Sequence, residues 1–337
     1  MDGSLASIGA GLGQTSYAQG IRDAFQYLLS THSNCFAIGQ GLWSPWYVGA
    51  TMDDLDKEFG KDRVIDTPVS ELACTGAALG ASLCGYRPVV IHPRMDFMLM
   101  ATDQIVNQAA KWAHMLGGRT SPAITIRAII NRGGEQGAQH SQALHAWFAH
   151  IPGLRVVMPA TAADARDLLI ASVMCDEPVL YIDNRWLYER SDHLGDITEL
   201  RLEDQGPRVL RKGDDITLVG SGYATWLCEQ AADELATQGV SAEVVDLRVI
   251  NPIDHGLVIA SVTRTGRILA VDDGWQNCGL AGEILAAVAE AIEPSSFKSR
   301  PSRLTLPDAP APTSKPLEAL YYPTVADVVT RALSVMR

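Results

Sequence analysis

The feature that most constrains the fold is a repeated alternation of short apolar runs with longer segments of helical periodicity. Residues 17–32 and 70–85 carry apolar or small residues at helical spacing, whereas 34–41 and 87–93 are short apolar runs that stop at glycine or proline. The alternation continues to residue 183. Strands separated by helices of this length usually pair in parallel and are covered by helices on both faces. The sequence therefore predicts an α/β fold with a largely parallel sheet.

A polar segment divides the chain. Residues 187–208 are rich in charge and lack periodicity, and we expect them to form a linker before the α/β pattern resumes at residue 215. A chain of 337 residues is long enough for two domains. The pattern predicts two three-layer α/β domains, residues 1–195 and 196–337.

Composition and charge exclude several functions. The net charge of −12 disfavours binding of nucleic acid or anionic membranes through bulk charge. The six cysteines are scattered without CxxC or metal-ligand spacing, which predicts reduced thiols. The N-terminus lacks a basic segment followed by an apolar one, and no apolar run approaches the length of about 18 residues that spans a bilayer. We expect a cytoplasmic protein that is neither secreted nor membrane-spanning.

Local motifs predict structure more than chemistry. The segment 220–222 reads GSG between a predicted strand and helix, and Asp246 ends the next strand. The third glycine of GxGxxG is missing, which favours a tight turn over a dinucleotide site. Thr161 precedes an acidic first turn and predicts a helix N-cap. The segment 95–116 predicts one long amphipathic helix.

Glu71 is the one charged residue between positions 67 and 86. A buried carboxylate without a partner costs several kcal/mol or takes up a proton. Glu71 therefore either caps a helix or meets a ligand that wants a carboxylate.

Three histidines follow a Gly/Gln-rich loop. His140 is predicted to open a helix, where it either binds an anion or transfers a proton, or is a surface or cap residue. His145 and His150 are expected to be packing or C-terminal cap residues. Arg94 and Asp96 interrupt an apolar strand-to-helix junction, either as an internal ion pair or as the wall of a site.

Several segments together resemble one family in order and spacing, from about residue 16 to the C-terminus. They are DRVIDTPVSELACTGAALGASLCGYRPVV, FMLMATDQIVNQAAKWAHMLGG, GAQHSQALHAWFAHIPGLRVVMPATAADARDLL, VVDLRVINPID and DDGWQNCGLAGEI. The chain is similar to the beta subunit of the thiamine-diphosphate-dependent decarboxylase component of 2-oxo acid dehydrogenases (pyruvate, branched-chain and acetoin types). The resemblance implies a transketolase pyrimidine-binding domain followed by a transketolase C-terminal domain.

The resemblance implies roles for four side chains. Glu71 matches the glutamate that hydrogen-bonds the aminopyrimidine ring nitrogen, and Phe97 matches the aromatic residue that packs on that ring. His140 matches the histidine that faces the substrate and is implicated in acyl transfer to a lipoyl group. Gln40, beside the cofactor, replaces an acid of a proposed proton path between two active sites, and glutamine cannot ionise.

The resemblance also implies a structural monovalent cation, such as K⁺. Its ligands would be backbone carbonyls, those of Ile124, Ser172, Cys175 and Glu177.

One family feature is missing. Thiamine enzymes hold diphosphate and Mg²⁺ through a GDG motif followed further along by asparagine. This chain has no GDG, and no asparagine follows Asp273–Gly274 at the required distance. The resemblance then implies that an alpha subunit supplies the diphosphate and Mg²⁺ site in an α2β2 heterotetramer, and that this chain is inactive alone.

Other departures leave the substrate open. HPRMDF stands where the family reads FMTFNF, and AIINRGGEQGAQHSQ stands where it reads GPNGAAAGVAAQHSQ. Arg94 or Arg132 either pairs with a phosphate or carboxylate of a substrate or forms a surface pair with a nearby acid.

Three functions remain open. The first is a dehydrogenase beta subunit that transfers an acyl unit from a small 2-oxo acid to a lipoyl acyltransferase component. The second is a transketolase-like or acyloin-forming carboligase that also needs an alpha subunit. The third is a non-catalytic homologue.

Overall fold

The computed structural model describes residues 13–337. Residues 1–12, on which the expected absence of a secretion signal partly rests, lie outside this range. No helix in the described range is both long and apolar enough to cross a bilayer.

The first half alternates strands with helices, as predicted. Its strands are β1 (Thr15–Ser16), β2 (Cys35–Gly39), β3 (Val64–Asp66), β4 (Arg87–His92), β5 (Thr125–Ile130), β6 (Arg155–Val157), β7 (Val179–Asn184) and β8 (Ser191–Asp192). Its helices are α1 (Tyr17–Thr31), α2 (Leu55–Phe59), α3 (Glu71–Leu83), α4 (Met95–Met98), α5 (Ala110–Met115), α6 (His145–Ala149) and α7 (Ala162–Met174). The residues of β5 and β7 are all buried, as expected for strands covered on both faces.

The second half repeats the alternation. Its strands are β9 (Arg208–Arg211), β10 (Ile216–Gly220), β11 (Ala242–Asp246), β12 (Val249–Asn251), β13 (Ile268–Trp275) and β14 (Ser302–Leu306). Its helices are α8 (Tyr223–Thr237), α9 (Gly256–Thr265), α10 (Leu280–Ala291), α11 (Lys315–Glu318) and α12 (Val325–Met336). Five of these strands form one sheet in the order β14-β13-β10-β11-β9, in which β9 alone is antiparallel to its neighbour.

The larger sheet has seven strands in the order β12-β6-β7-β5-β4-β2-β3. All of its pairings are parallel except that of the edge strand β12 with β6. The carboxyl ends of β5, β4, β2 and β3 therefore lie side by side along one edge. In open parallel sheets, ligands bind at this edge.

Strand β12 joins the two halves of the chain. Its residues Val249 and Asn251 come from the second half but pair with Val157 and Val156 of the first sheet. Nearby, the Met158 N–H donates to the Arg248 carbonyl at 2.7 Å. The halves thus share a sheet, and the proposed division at residues 195/196 remains a prediction.

The predicted helix over residues 95–116 is not one regular α-helix. Between α4 and α5 the chain forms a 3₁₀ turn at Leu99–Ala101 and a π-helical stretch at Asp103–Ala109. The apolar spacing did not reveal this because it reports which face is buried, not the hydrogen-bond register. π-helical segments are rare and often lie near functional sites.

The segment 187–208 is not a free linker. Leu187, Tyr188 and Leu202 are buried within the main hydrophobic core, and β8 pairs with β1. A few well-spaced apolar residues fasten this charged segment to the core, whereas its role as the connection between two domains remains a prediction.

Other local predictions are confirmed. The Thr161 hydroxyl caps α7 by accepting from the Asp164 N–H at 3.1 Å. The GSG segment turns the chain from β10 into α8, and a side chain on Gly222 would lie 2.8 Å from Cε of Met158, so the turn requires glycine there. All six cysteines are free thiols.

A buried acid, Asp246, lies at the end of β11 beside the GSG turn. Asp246 Oδ1 accepts from the Thr225 hydroxyl at 3.0 Å, whereas Oδ2 has no hydrogen-bond partner within residues 13–337. Burial, followed by the charge of Asp164, raises the pKa of Asp246 to about 7, although Arg208 and Arg248 lower it. The usual value is 3.8.

Because the folded-state pKa of Asp246 is raised, the folded protein binds the extra proton between about pH 4 and pH 7. The free energy of unfolding should therefore fall through this window as the pH rises, by up to about 4 kcal/mol. We expect Asp246→Asn to flatten this dependence in urea denaturation at several pH values. Asp233→Asn, which removes an exposed acid paired with Arg211, should keep the wild-type slope. A wild-type slope in Asp246→Asn would contradict the prediction.

Candidate active site

Four side chains singled out in the sequence follow four neighbouring strands. Glu71 follows β3, Gln40 follows β2, Phe97 follows β4 and His140 follows β5. These strands are adjacent and parallel, so the four residues lie along one edge of the sheet. The structure brings together at this edge residues that are spread over one hundred positions of sequence.

Glu71 is the first residue of α3 and is half-buried. A carboxylate in the first turn is favoured by the helix dipole. The N-cap residue is Ser70, and the Glu71 carboxylate enters no hydrogen bond or salt bridge within residues 13–337, so the capping alternative does not account for it. Its neighbours Val69 and Leu72 are 80% and 53% exposed, so an apolar surface surrounds an unengaged carboxylate.

Phe97 and His140 meet edge to face. Their ring centroids are 5.2 Å apart and the rings are nearly perpendicular, at 88°. Phe97 lies on α4 and is 39% exposed, so one part of its ring is open to a ligand.

The prediction that His140 opens a helix is wrong, because α6 begins at His145. The His140 N–H instead donates to the Gly137 carbonyl at 3.3 Å in a turn. The next N–H groups are used elsewhere: that of Gln142 donates to Asp96 Oδ1 at 3.1 Å, and that of Leu144 donates to Met95 Sδ at 3.4 Å. These N–H groups are therefore unavailable for helical hydrogen bonds, and residues 141–144 form neither helix nor strand.

Arg94 and Asp96 do not form the suggested ion pair. Asp96 is buried, and its Oδ1 accepts from the backbone and side chain of Gln142 at 3.1 and 3.0 Å. Its Oδ2 has no hydrogen-bond partner in the described range, and burial raises the pKa of Asp96 despite the Gln142 bonds. Arg94 is half-buried at the start of α4. Asp96 therefore belongs to the wall beside Phe97 and His140.

A neutral histidine, His92, contacts the first turns of α3, the helix that begins at Glu71. His92 is buried, and its Nε2 is 3.3 Å from the hydroxyl of Thr75, one helical turn after Glu71. Burial lowers the pKa of His92 to about 4, so it is uncharged at neutral pH. It adds polarity but no charge near the carboxylate.

Arg132 is buried, so the alternative of a surface pair is wrong. Its Nη1 lies 2.9 Å from Asp273 Oδ1, with both side chains at most 3% exposed. The guanidinium lies 4.1 Å from the ring centroid of Tyr223, 4.7 Å from that of Trp186 and 5.2 Å from that of Tyr322. Its Nε and Nη2 have no hydrogen-bond partner within the described chain. A contact of Arg132 with substrate remains a prediction.

His145 is buried, as a packing residue would be, but it is also half of an ion pair. Its Nε2 lies 2.8 Å from Asp272 Oδ1. Burial lowers the pKa of His145, but the charge and hydrogen bond of Asp272 outweigh it and the pKa is raised. The pKa of Asp272 is lowered, against the effect of burial, chiefly by His145. His150 caps the C-terminus of α6, as expected.

Sequence reasoning missed Asp272 and Asp273 as site residues. The available signal was two consecutive acids near the carboxyl end of the apolar strand β13, where ionised groups need partners.

The carbonyls suggested for a monovalent cation already have partners in part. The Ile124 carbonyl accepts from the Val179 N–H at 2.9 Å. The Cys175 carbonyl accepts from Nη1 of Arg87 at 2.9 Å, so a fixed positive charge lies beside it. A K⁺ ion would share that carbonyl with a guanidinium, which does not favour the site. In the part of the chain that is described, no group of three His, Cys, Asp or Glu side chains could hold a metal ion.

Comparison with known proteins agrees with the two-part fold. Residues 13–190 match the transketolase pyrimidine-binding domain, and residues 207–328 match the transketolase C-terminal domain. The split-gene transketolase crystallised as an inactive β4 tetramer superposes with a TM-score of 0.73 at 21% identity, covering 96% of this chain and 99% of that chain. A transketolase mutant from Pichia stipitis gives a TM-score of 0.69 at 17% identity, covering 96% of this chain and 46% of the other.

Curated relatives are more similar in sequence. The pyruvate dehydrogenase E1 component subunit beta of Rhizobium meliloti is 37% identical, over 92% of this chain and 67% of the relative. The acetoin:2,6-dichlorophenolindophenol oxidoreductase subunit beta of Cupriavidus necator is 38% identical, over 82% of this chain and 81% of the relative. The mitochondrial pyruvate dehydrogenase E1 component subunit beta-1 of Arabidopsis thaliana is 34% identical, over 97% of this chain and 90% of the relative. This chain therefore belongs to the thiamine-diphosphate-dependent family of 2-oxo acid dehydrogenase beta subunits, built from transketolase pyrimidine-binding and C-terminal domains.

Proposed function

We propose that this chain supplies the aminopyrimidine half of a thiamine diphosphate site in a heteromeric 2-oxo acid dehydrogenase. The observation that carries the proposal is the unengaged carboxylate of Glu71 on the same sheet edge as the exposed ring of Phe97 and the imidazole of His140. Carboxylate, aromatic face and imidazole are the groups that such a site requires from this subunit.

The residues present fit the cofactor. Glu71 has no competing partner in the described chain, so its carboxyl group is available to hold a proton at the ring nitrogen of an aminopyrimidine. Phe97 offers an apolar ring face that excludes water from that hydrogen bond. Bound thiamine diphosphate would supply the electron sink for decarboxylation of a 2-oxo acid.

His140 and Gln40 complete the proposed cofactor site. The imidazole of His140, oriented by the Phe97 ring, would face the substrate and act during transfer of the acyl unit to a lipoyl acceptor. Gln40 would hydrogen-bond near the cofactor without ionising, so it cannot pass a proton to a second site as an acid would.

The proposal includes a partner. The chain lacks the GDG motif for diphosphate and Mg²⁺, and exposed Val69 and Leu72 beside Glu71 form an apolar surface that a second subunit would cover. The relatives are named as subunits beta of larger enzymes. We therefore propose an alpha subunit that holds the diphosphate and Mg²⁺, an α2β2 assembly, and a lipoyl acyltransferase as acceptor. The structural K⁺ is not part of this proposal, because the Arg87 guanidinium already occupies the Cys175 carbonyl.

A carboligase is the second candidate, favoured by the polar wall of this site. Asp96 has a free buried oxygen, and Arg94 is half-buried without a side-chain cap bond. Such groups, together with the unpaired nitrogens of Arg132, suit an acceptor with hydroxyl, phosphate or carboxylate groups. Supply of a lipoyl domain or of an aldehyde as acceptor distinguishes the two reactions.

The test is a titration of the assembled protein. This chain would be co-expressed with its alpha-type subunit, purified by a tag on this chain, and titrated with thiamine diphosphate and Mg²⁺ by calorimetry. We expect binding by the pair and none by this chain alone. Tight binding by this chain alone would contradict the shared site, and a pair that does not bind the cofactor would favour a non-catalytic homologue.

A further inference from the structure

The loop that carries His140 is fastened by both halves of the chain. Asp96 and Met95 of the first half hold the segment after His140, and three acidic side chains of the C-terminal half hold the loop at its two ends and in its middle. This loop, residues 131–144, leaves the carboxyl end of β5 and ends where α6 begins. Because a loop without regular backbone hydrogen bonds gains its order from outside contacts, the groups that fasten it determine where His140 lies.

Two consecutive acids of β13 grip the two ends of the loop. Asp273 pairs with Arg132 at the start, at 2.9 Å, and Asp272 pairs with His145 just after the end, at 2.8 Å. All four side chains are buried, at most 3% exposed. Removal of one member of a buried pair leaves an uncompensated charge, which is why such contacts define position strongly.

The acids are themselves fixed. Asp272 Oδ1 also accepts from the Gly274 N–H at 2.9 Å, and its Oδ2 accepts from the Ala281 N–H at 3.0 Å. These bonds tie Asp272 to the strand end and to the start of α10. Because Asp272 is fixed by the backbone of the C-terminal half, its contact with His145 places the end of the loop relative to that half.

A third contact lies in the middle of the loop. The Glu135 N–H donates to both carboxylate oxygens of Glu318, at 3.2 and 3.0 Å, and Glu318 is buried at the end of α11. The loop also lies so close to the C-terminal half that a side chain on Gly137 would collide with Thr313. We call Asp272, Asp273 and Glu318 the acidic clamp.

We propose that the acidic clamp consists of positioning residues that place His140 for the reaction of the proposed function. Asp272 and Asp273 act through His145 and Arg132, and they do not touch the reacting atoms. Through these three acids, the C-terminal half contributes to the active site by holding the His140 imidazole against Phe97.

The test uses the complex with its alpha subunit and the variants Asp272→Asn and Asp273→Asn. The matched control is Asp233→Asn, which breaks an exposed pair with Arg211 in the same half. Hydrogen exchange of peptides within residues 131–144 is measured first. We expect faster exchange in this loop for both clamp variants, with β5 and the control unchanged.

Activity is then divided into two readouts. Oxidation of a 2-oxo acid with an artificial electron acceptor does not use acyl transfer, whereas reduction of a lipoyl-domain acceptor does. We expect the clamp variants to lose about tenfold to a hundredfold in acyl transfer and much less in oxidation. The double variant His145→Gln/Asp272→Asn, which replaces the ion pair with a neutral hydrogen-bonded pair, should recover part of the loss.

Unchanged exchange in the loop would overturn the proposal. So would equal loss of both activities with faster exchange throughout the C-terminal half, since that is the result of general destabilisation. The inference rests on the proposed function only for its activity readouts. If the wild-type complex oxidises no 2-oxo acid, the proposed function fails, while the exchange measurement still decides whether the acids hold the loop.

Discussion

Glu71→Gln should lower turnover of the complex with its alpha subunit by about 100-fold to 10,000-fold, the range of a lost acid–base group. Glutamine keeps the size of the side chain and an oxygen that can accept a hydrogen bond. It cannot take up and release a proton at the aminopyrimidine ring nitrogen. Because Glu71 has no salt bridge in the described chain, the substitution breaks no internal ion pair and should leave stability nearly unchanged.

Steady-state oxidation of a 2-oxo acid measures the loss, and calorimetric titration of thiamine diphosphate shows whether the cofactor still binds. Glu234→Gln makes the same chemical change on the exposed face of α8 and should behave as wild type. Turnover within a few fold of wild type for Glu71→Gln, with cofactor bound, would show that Glu71 is not the proton-holding group.

The largest effect on stability is expected at the ion pair in the core of the first half. Arg127 and Asp183 are fully buried on the neighbouring strands β5 and β7, joined by two bonds of 3.0 and 2.8 Å. The remaining donors of Arg127 bond to the hydroxyls of Thr51 and Tyr188, at 2.9 and 3.0 Å. The Tyr188 hydroxyl also donates to Asp183 Oδ2 at 2.5 Å, so both charges lie within one buried hydrogen-bond network and loss of either partner leaves the other charge uncompensated.

Arg127→Met should reduce the free energy of unfolding by about 3–5 kcal/mol, since it leaves the Asp183 carboxylate buried without its counter-charge. Asp183→Asn should cost a similar amount, because it leaves the guanidinium uncompensated. Urea denaturation of each variant measures the loss.

The double variant Arg127→Met/Asp183→Leu separates charge from packing. We expect it to lose less than the sum of the single changes, because no charge is left buried. Additive losses would mean that the two residues stabilise the fold independently, through packing alone. Loss of Arg155 or Glu177, an ion pair in which Glu177 is half-exposed, should change stability by less than about 1 kcal/mol.

The predictions that succeeded rest on local chemistry. Strand and helix alternation placed β2, β4, α1 and α3 correctly, and the cap at Thr161 followed from one hydroxyl before an acidic turn. Those that failed required knowledge of distant partners. Residues after His140 looked helical, but Asp96 and Met95 engage their N–H groups instead.

The sequence by itself determined the α/β class through periodicity and turn residues, which are properties of short segments, and the family through the order and spacing of its motifs. The roles of Glu71, Phe97 and His140, which the resemblance implies, remain predictions. The tertiary structure alone decided how the charged residues are used. Arg132 and His145 meet Asp273 and Asp272 across 141 and 127 positions of sequence. Spacing along the chain carries no information about such pairs. They form because folding removes charged groups from water, and each must then find a partner from the other half of the molecule.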